Sequence, residues 1–97
     1  MVGRLEEARY FLRKVLPVAR RVSGENGEIT LRMRASYAAA LYRDDSATFD
    51  DLREAVTTLE DVERTARRVF GGAHPITGLI EGRLYVARET LAAFDAP

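Results

Sequence analysis

His74 stands directly before Pro75, four carboxylates (Asp44, Asp45, Asp50, Asp51) gather within eight positions, and five cations (Arg9, Arg13, Lys14, Arg20, Arg21) crowd one short segment. Each group could do chemistry. A histidine can act as a general base or bind a metal, but both roles usually recruit a second ligand or partner, and the chain holds one histidine and no cysteine. His74 is therefore expected to start a helix. The carboxylates could attract a cation, yet they lack the glycine and the terminal glutamate of a calcium loop, so helix capping is expected of them. Gly71-Gly72 is followed by neither lysine nor a phosphate-loop pattern, and no Ser/His/acid set, Walker motif or dinucleotide fingerprint occurs. The expectation is a protein that is not an enzyme and needs no cofactor or metal. The cations suggest a nucleic acid, but fifteen basic and fifteen acidic residues cancel and the pI is near 6.6, which argues against nucleic acid and anionic membrane. Charge is nevertheless unevenly spread. Residues 1–48 carry nine basic and six acidic groups, a balance of +3, and the remainder carries −3. Opposite halves could favour head-to-tail association or orient a partner. The absence of cysteine fits a reducing compartment. No run approaches the roughly 18 apolar residues of a membrane span, and the opening residues are charged where a secretory signal needs an apolar core. A cytoplasmic protein is expected.

The elements that must position these groups are written twice. Residues 19–30 (ARRVSGENGEIT) recur as residues 66–77 (ARRVFGGAHPIT), 47 positions later, with seven of twelve identical. Upstream, Leu5, Ala8, Leu12, Val15, Ala19 and Val22 map onto Leu52, Ala55, Leu59, Val62, Ala66 and Val69. Spacing of three and four lays one apolar stripe along a helix, so the chain encodes two copies of one helix-turn unit. A repeat period of this order marks stacked helical units. Four helices are predicted at about 4–22, 28–43, 48–70 and 75–94, in one domain spanning residues 1–97. Glycines 24, 27, 71 and 72 supply the corners. Pro17 should kink the first helix on the side away from Val15 and Ala19. Thr48 with Asp51 forms a capping box for the third, and Pro75 suits the first turn of the fourth. The expected core faces are Ile29, Met33, Tyr37, Ala40 and Leu41 on the second helix, and Ile76, Ile80, Leu84, Ala87, Leu91 and Phe94 on the fourth. Gly78 and Gly82, four apart, should allow close packing at about 1 kcal/mol each of helix propensity. Period-two alternation is missing, and short links between amphipathic helices imply antiparallel neighbours. The predicted fold class is all-α, built of antiparallel helix-turn-helix repeats.

A helix ending in Ala66-Arg67-Arg68-Val69, then Phe70-Gly71, then His74-Pro75-Ile76-Thr77 opening a new helix, resembles the tetratricopeptide repeat of the kinesin-light-chain type. Leu52-Arg53-Glu54-Ala55 and Leu5-Glu6-Glu7-Ala8 are similar to that family's aromatic-x-Glu-Ala start of helix B, with leucine in the aromatic place. Thr30-Leu31-Arg32 and Tyr37-Ala38 resemble its helix A. The resemblance covers nearly the whole chain and implies a tetratricopeptide-like α-solenoid fragment in the order B-A-B-A. The chain departs from the family in three ways. Gly27-Glu28-Ile29-Thr30 lacks the His-Pro pair, the period of 47 exceeds the family's usual lengths, and the surplus falls in residues 42–49, where a longer corner or extra turn is expected.

Such a family implies peptide or protein partners held along the surface lined by helix A, with an asparagine before the Leu-Ala pair. Ser36 and Arg83 occupy that place here, leaving Arg32, Ser36 and Arg83, with Tyr37 or Arg34, as groove candidates able to grip a carboxylate. The two B helices also differ. Tyr10, Phe11, Leu16 and Val18 correspond to Thr57, Thr58, Glu63 and Thr65, so the first is apolar where its copy is polar. Exposed together they would mark an interface. The expected function is a non-catalytic protein–protein interaction module, an adaptor or scaffold; the alternative is a structural subunit docked through its first helix in a homodimer or larger complex. Burial of that helix under the chain itself stands as the third arrangement.

Overall fold

The computed structural model describes residues 4–95; residues 1–3 and 96–97 of the expected domain lie outside it. Four helices account for nearly all of the described chain: α1 (Arg4–Ser23), α2 (Glu28–Arg43), α3 (Phe49–Phe70) and α4 (Pro75–Asp95). No strand occurs among the described residues. Twenty helical residues rise about 30 Å, and the Cα extents are 40 × 31 × 16 Å. The thin dimension suits helices two layers deep at interaxial distances near 10 Å.

The corners between α1 and α2 and between α3 and α4 are copies in three dimensions as well as in sequence. Gly24 and Gly71 take φ of +87° and +88°, a left-handed conformation that a side chain disfavours. In each corner a fully buried threonine from the next helix returns to that glycine: Thr30 Oγ1 donates to the Gly24 carbonyl at 2.6 Å, and Thr77 Oγ1 to the Gly71 carbonyl at 2.8 Å. His74 Nδ1 accepts from the Ile76 amide at 3.1 Å, which makes it a helix-start residue, while Gly27 has no side chain to do the same. The connection at residues 44–48 is a corner rather than an extra helical turn. Asp44 Oδ1 accepts from the Ser46 amide at 2.8 Å, and Thr48 and Asp51 exchange the two bonds of a capping box. Those bonds hold the Asp51 carboxyl below the usual range, the backbone bond from Thr48 contributing most.

Packing is unequal among the helices. α2 lies against α1, α3 and α4, and α3 against α2 and α4, whereas α1 has α2 as its one backbone neighbour among the described residues. The core follows that order: Leu31, Ala35, Ala38, Ala39, Leu41, Leu52, Ala55, Leu59, Val62, Ala66, Ile76, Ile80, Leu84 and Ala87 are buried, and α1 adds Ala19. The face expected to be buried on α2 is not the one observed. The buried apolar residues there are Leu31, Ala35, Ala38, Ala39 and Tyr42 with Leu41, whereas Ile29 is exposed and Met33, Tyr37 and Ala40 are half-buried. The small alanines are buried where α2 packs on its neighbours, and the larger predicted stripe is only partly covered. On α4 the predicted stripe is buried through Ala87 and opens toward Phe94, which meets Phe49 at 6.0 Å between ring centroids. α1 is helical through Pro17, whose ring is exposed.

Candidate functional site

Repeat-equivalent positions give each helix its own control. In α3 the stripe Leu52, Ala55, Leu59, Val62 and Ala66 is buried, because α2 covers one flank and α4 the other. In α1 the matching Leu5, Ala8, Leu12 and Val15 are half-buried and Ala19 alone is buried. The second copy of the helix has two neighbours and the first has one. The same asymmetry appears across the trough in α2, where Ile29 is 49% exposed and its equivalent Ile76 is 0%. Met33 is half-buried against a fully buried Ile80.

The residues singled out on α1 fall around this opening. Phe11 (59% exposed) and Val18 (45%) lie on the flank equivalent to the α2-facing side of α3. Phe11 shares a hollow of about 270 Å³ with Ala8, Leu12, Met33, Ser36 and Tyr37. Leu16, half-buried, lines a second hollow of about 480 Å³ with Leu12, Pro17 and Tyr37, edged by Arg9, Arg13 and Arg20. Leu12 and Tyr37 line both. Tyr10 is exposed further round, with Lys14 Nζ 5.5 Å from its ring centroid. Leu16 and Phe11 therefore serve different hollows, and the structure adds Met33 to that of Phe11, with Ile29 exposed on the same helix. These two carried a signal: both are apolar in both copies, and the missing neighbour of α1 leaves them open.

The second candidate group lies where α2 and α4 run side by side. Arg83 Nη1 donates to Ser36 Oγ at 3.4 Å, a bond between two residues at the same place in successive repeats. Arg32 is tied to Glu28 on its own helix at 3.2 Å. Arg34 and Tyr37 are engaged elsewhere. Arg34 reaches Asp61 of α3 at 2.7 Å and holds that carboxyl below the usual range. Tyr37 donates to Glu54 at 2.8 Å and accepts from Arg9 Nε at 3.2 Å. Arg9 also reaches Asp51 at 3.1 Å, so one guanidinium and one phenol tie α1, α2 and α3 together. Burial pushes the Tyr37 hydroxyl above its ordinary value, and the bond to Tyr37 raises Arg9 further above an already high one.

Chemically the Phe11 hollow offers apolar shape and the Leu16 hollow an apolar wall with a cationic edge, both suited to receiving another apolar surface. No group of three or more His, Asp or Glu side chains placed to hold a metal occurs among the described residues, and no described helix is long and apolar enough to cross a membrane. The chain matches no protein-family model, no curated protein and no solved structure.

Proposed function

We propose that the chain is a non-catalytic protein–protein interaction module, an adaptor or scaffold of tetratricopeptide-like repeats that receives a protein partner in the α1–α2 trough. One observation carries this: the apolar stripe that is buried on α3 is half-open on its copy α1, and there it is widened by Phe11 and Val18 where α3 has Thr58 and Thr65. Single exposed apolar residues are ordinary, but Phe11 and Val18 lie on one flank beside the half-open stripe and so extend a continuous apolar surface, the kind that marks an interface. The solenoid reading is supported by the twin glycine-threonine corners and by backbone contact between α2 and α4 without its counterpart between α1 and α3, as in a curved stack with one row inside. The same trough also suits permanent burial in a larger complex, with α1 as the docked element.

The test is photo-crosslinking. Benzoyl-phenylalanine at position 11 or 18 should form covalent adducts with protein in an extract of the native cell, and the same group at Arg64, on the exposed side of α3, should form none. Equal labelling at all three positions, or at none, refutes docking in the trough.

A further inference from the structure

Repeat equivalence also identifies a surface built to fill the trough, and it is on this same chain. α4 stands to α2 as the next helix of its kind, so the face of α2 that is covered by α3 and α4 should reappear on α4 with nothing in front of it. It does. Leu31, Ala35, Ala38 and Ala39 are buried on α2, and their equivalents Gly78, Gly82, Tyr85 and Val86 are exposed on α4. The two open surfaces, this one and the trough, are the two halves of the contact that α2 makes with α3 and α4 inside the chain.

They are complementary in charge at one pair of positions and in volume at another, while Tyr85 and Val86 are larger than the Ala38 and Ala39 they replace. Inside the chain Arg34 of α2 meets Asp61 of α3 at 2.7 Å. One repeat later Arg34 becomes Glu81, and one repeat earlier Asp61 becomes Lys14. Both partners have changed sign, so a junction of the same geometry again brings opposite charges together, with Glu81 also paired to Arg67 of its own chain at 2.6 Å. Size is exchanged in the same manner. The antiparallel register set by Arg34–Asp61 and Tyr37–Glu54 places Leu31 and Ala35 along α3 between Thr58 and Thr65. In the second junction these become Gly78 and Gly82 against Phe11 and Val18: small residues on one side, enlarged residues on the other. A Cβ added at Gly78 or Gly82 meets nothing within 4 Å, and neither glycine has a positive φ, so the fold itself does not require them. Arg83, which holds Ser36 within the chain, would face Ser36 of the next copy.

We infer that the exposed face of α4 seats in the α1–α2 trough of a second copy, so that chains stack head-to-tail and prolong the repeat. The inference rests on the trough's being a protein-docking face and names its occupant. Because the two faces differ, the contact is heterologous and does not close on itself as a two-fold dimer does. Each added copy presents a fresh trough at one end and a fresh α4 at the other.

Sedimentation velocity on the full chain, from micromolar to millimolar, tests this. The weight-average mass should rise past that of a dimer without a plateau. Two variants each block one face: Phe11→Glu with Lys14→Glu at the trough, and Gly82→Leu on α4, where the monomer has room and leucine favours the helix. Either variant alone should raise the apparent dissociation constant at least about tenfold while circular dichroism and the thermal midpoint show the fold retained. Mixed together they should form a 1:1 pair and nothing larger, since one intact trough and one intact α4 face remain. A wild-type chain that stays monomeric throughout overturns head-to-tail stacking. So does a mass that stops at the dimer and ignores Gly82→Leu, which would mean trough packed on trough. In both cases crosslinking at positions 11 and 18 to a protein would leave the docking role of the trough intact, whereas its absence would remove both.

Discussion

At the scale of single residues the repeat separates side chains that build the unit from those that distinguish its copies. Thr30 and Thr77 sit in the same bond to Gly24 and Gly71, and this pair was legible in the sequence because identity at fixed spacing survives without knowledge of the fold. Arg34–Asp61 and the Arg9–Tyr37–Glu54 tie were not legible, since they depend on the rotation and register of separate helices, which no local pattern encodes. Arg34 and Tyr37 carry the charge and hydroxyl that a binding groove would use, and the structure commits them to its own neighbours. The Asp61 pair has a pH signature. The Arg34 hydrogen bond, chiefly, places its folded pKa below the ordinary value of 3.8. The unfolded state therefore binds the proton more readily, so the pair's contribution is complete above the unfolded value and disappears as pH falls through the folded one. Urea midpoints should be level between neutrality and about pH 5 and fall below about pH 4. Asp61→Asn should make that acid limb shallower without abolishing it, since Asp51 is also held below the usual range, with a loss at neutral pH under about 1 kcal/mol, because Asp61 is half exposed to solvent. An Asp61→Asn variant with the same acid limb as the parent would locate the proton uptake at other carboxylates.

Among elements, the helices were written plainly: glycine corners, the Thr48 capping box and Pro75 bound them within a residue or so of the observed ends. Which face each helix buries was harder to read. On α2 the larger residues Ile29, Met33 and Tyr37 suggested the core side, but a helix with three neighbours needs its smallest side chains where the backbones approach, and Ala35, Ala38 and Ala39 mark that side. Sequence spacing finds a stripe; the number of neighbours decides how much of it is covered. Leu12 and Leu59 measure the difference, being the same residue at the same repeat position. Leu59→Ala removes a fully buried side chain held between α2 and α4 and should cost about 2–5 kcal/mol. Leu12→Ala, at a half-buried site beside two open hollows, should cost under about half as much, since little cavity is created. Urea denaturation of both variants in dilute solution checks this. Equal losses would mean that α1 is as well covered as α3.

For the whole molecule these differences predict that α1 is less stable than the other three helices. Stability in a chain of repeats is the sum of each unit's own contribution and its contacts with adjacent units, so the unit with fewest contacts opens first. α2, α3 and α4 share a buried cluster, and α1 adds to it chiefly the partly buried Leu5, with Ala19 buried apart from that cluster. What holds α1 is its packing on α2 and the Arg9 guanidinium, which reaches Tyr37 and Asp51 across the junction. Arg9 is partly exposed, and ion pairs in that setting contribute little each. Hydrogen exchange in dilute solution should therefore show α1 amides exchanging through a local opening below the global unfolding free energy, while the central amides of α3 exchange only with global unfolding. Arg9→Ala should accelerate α1 and leave α3 unchanged, because the three-helix tie is lost and the shared cluster is not. Uniform protection across α1 and α3 would mean that α1 belongs to the same cooperative unit. A gradient, by contrast, would bear on the proposed docking face: a partner that fills the trough would supply the second flank that α3 already has, and so would stabilise the bound state by an interaction the free chain lacks.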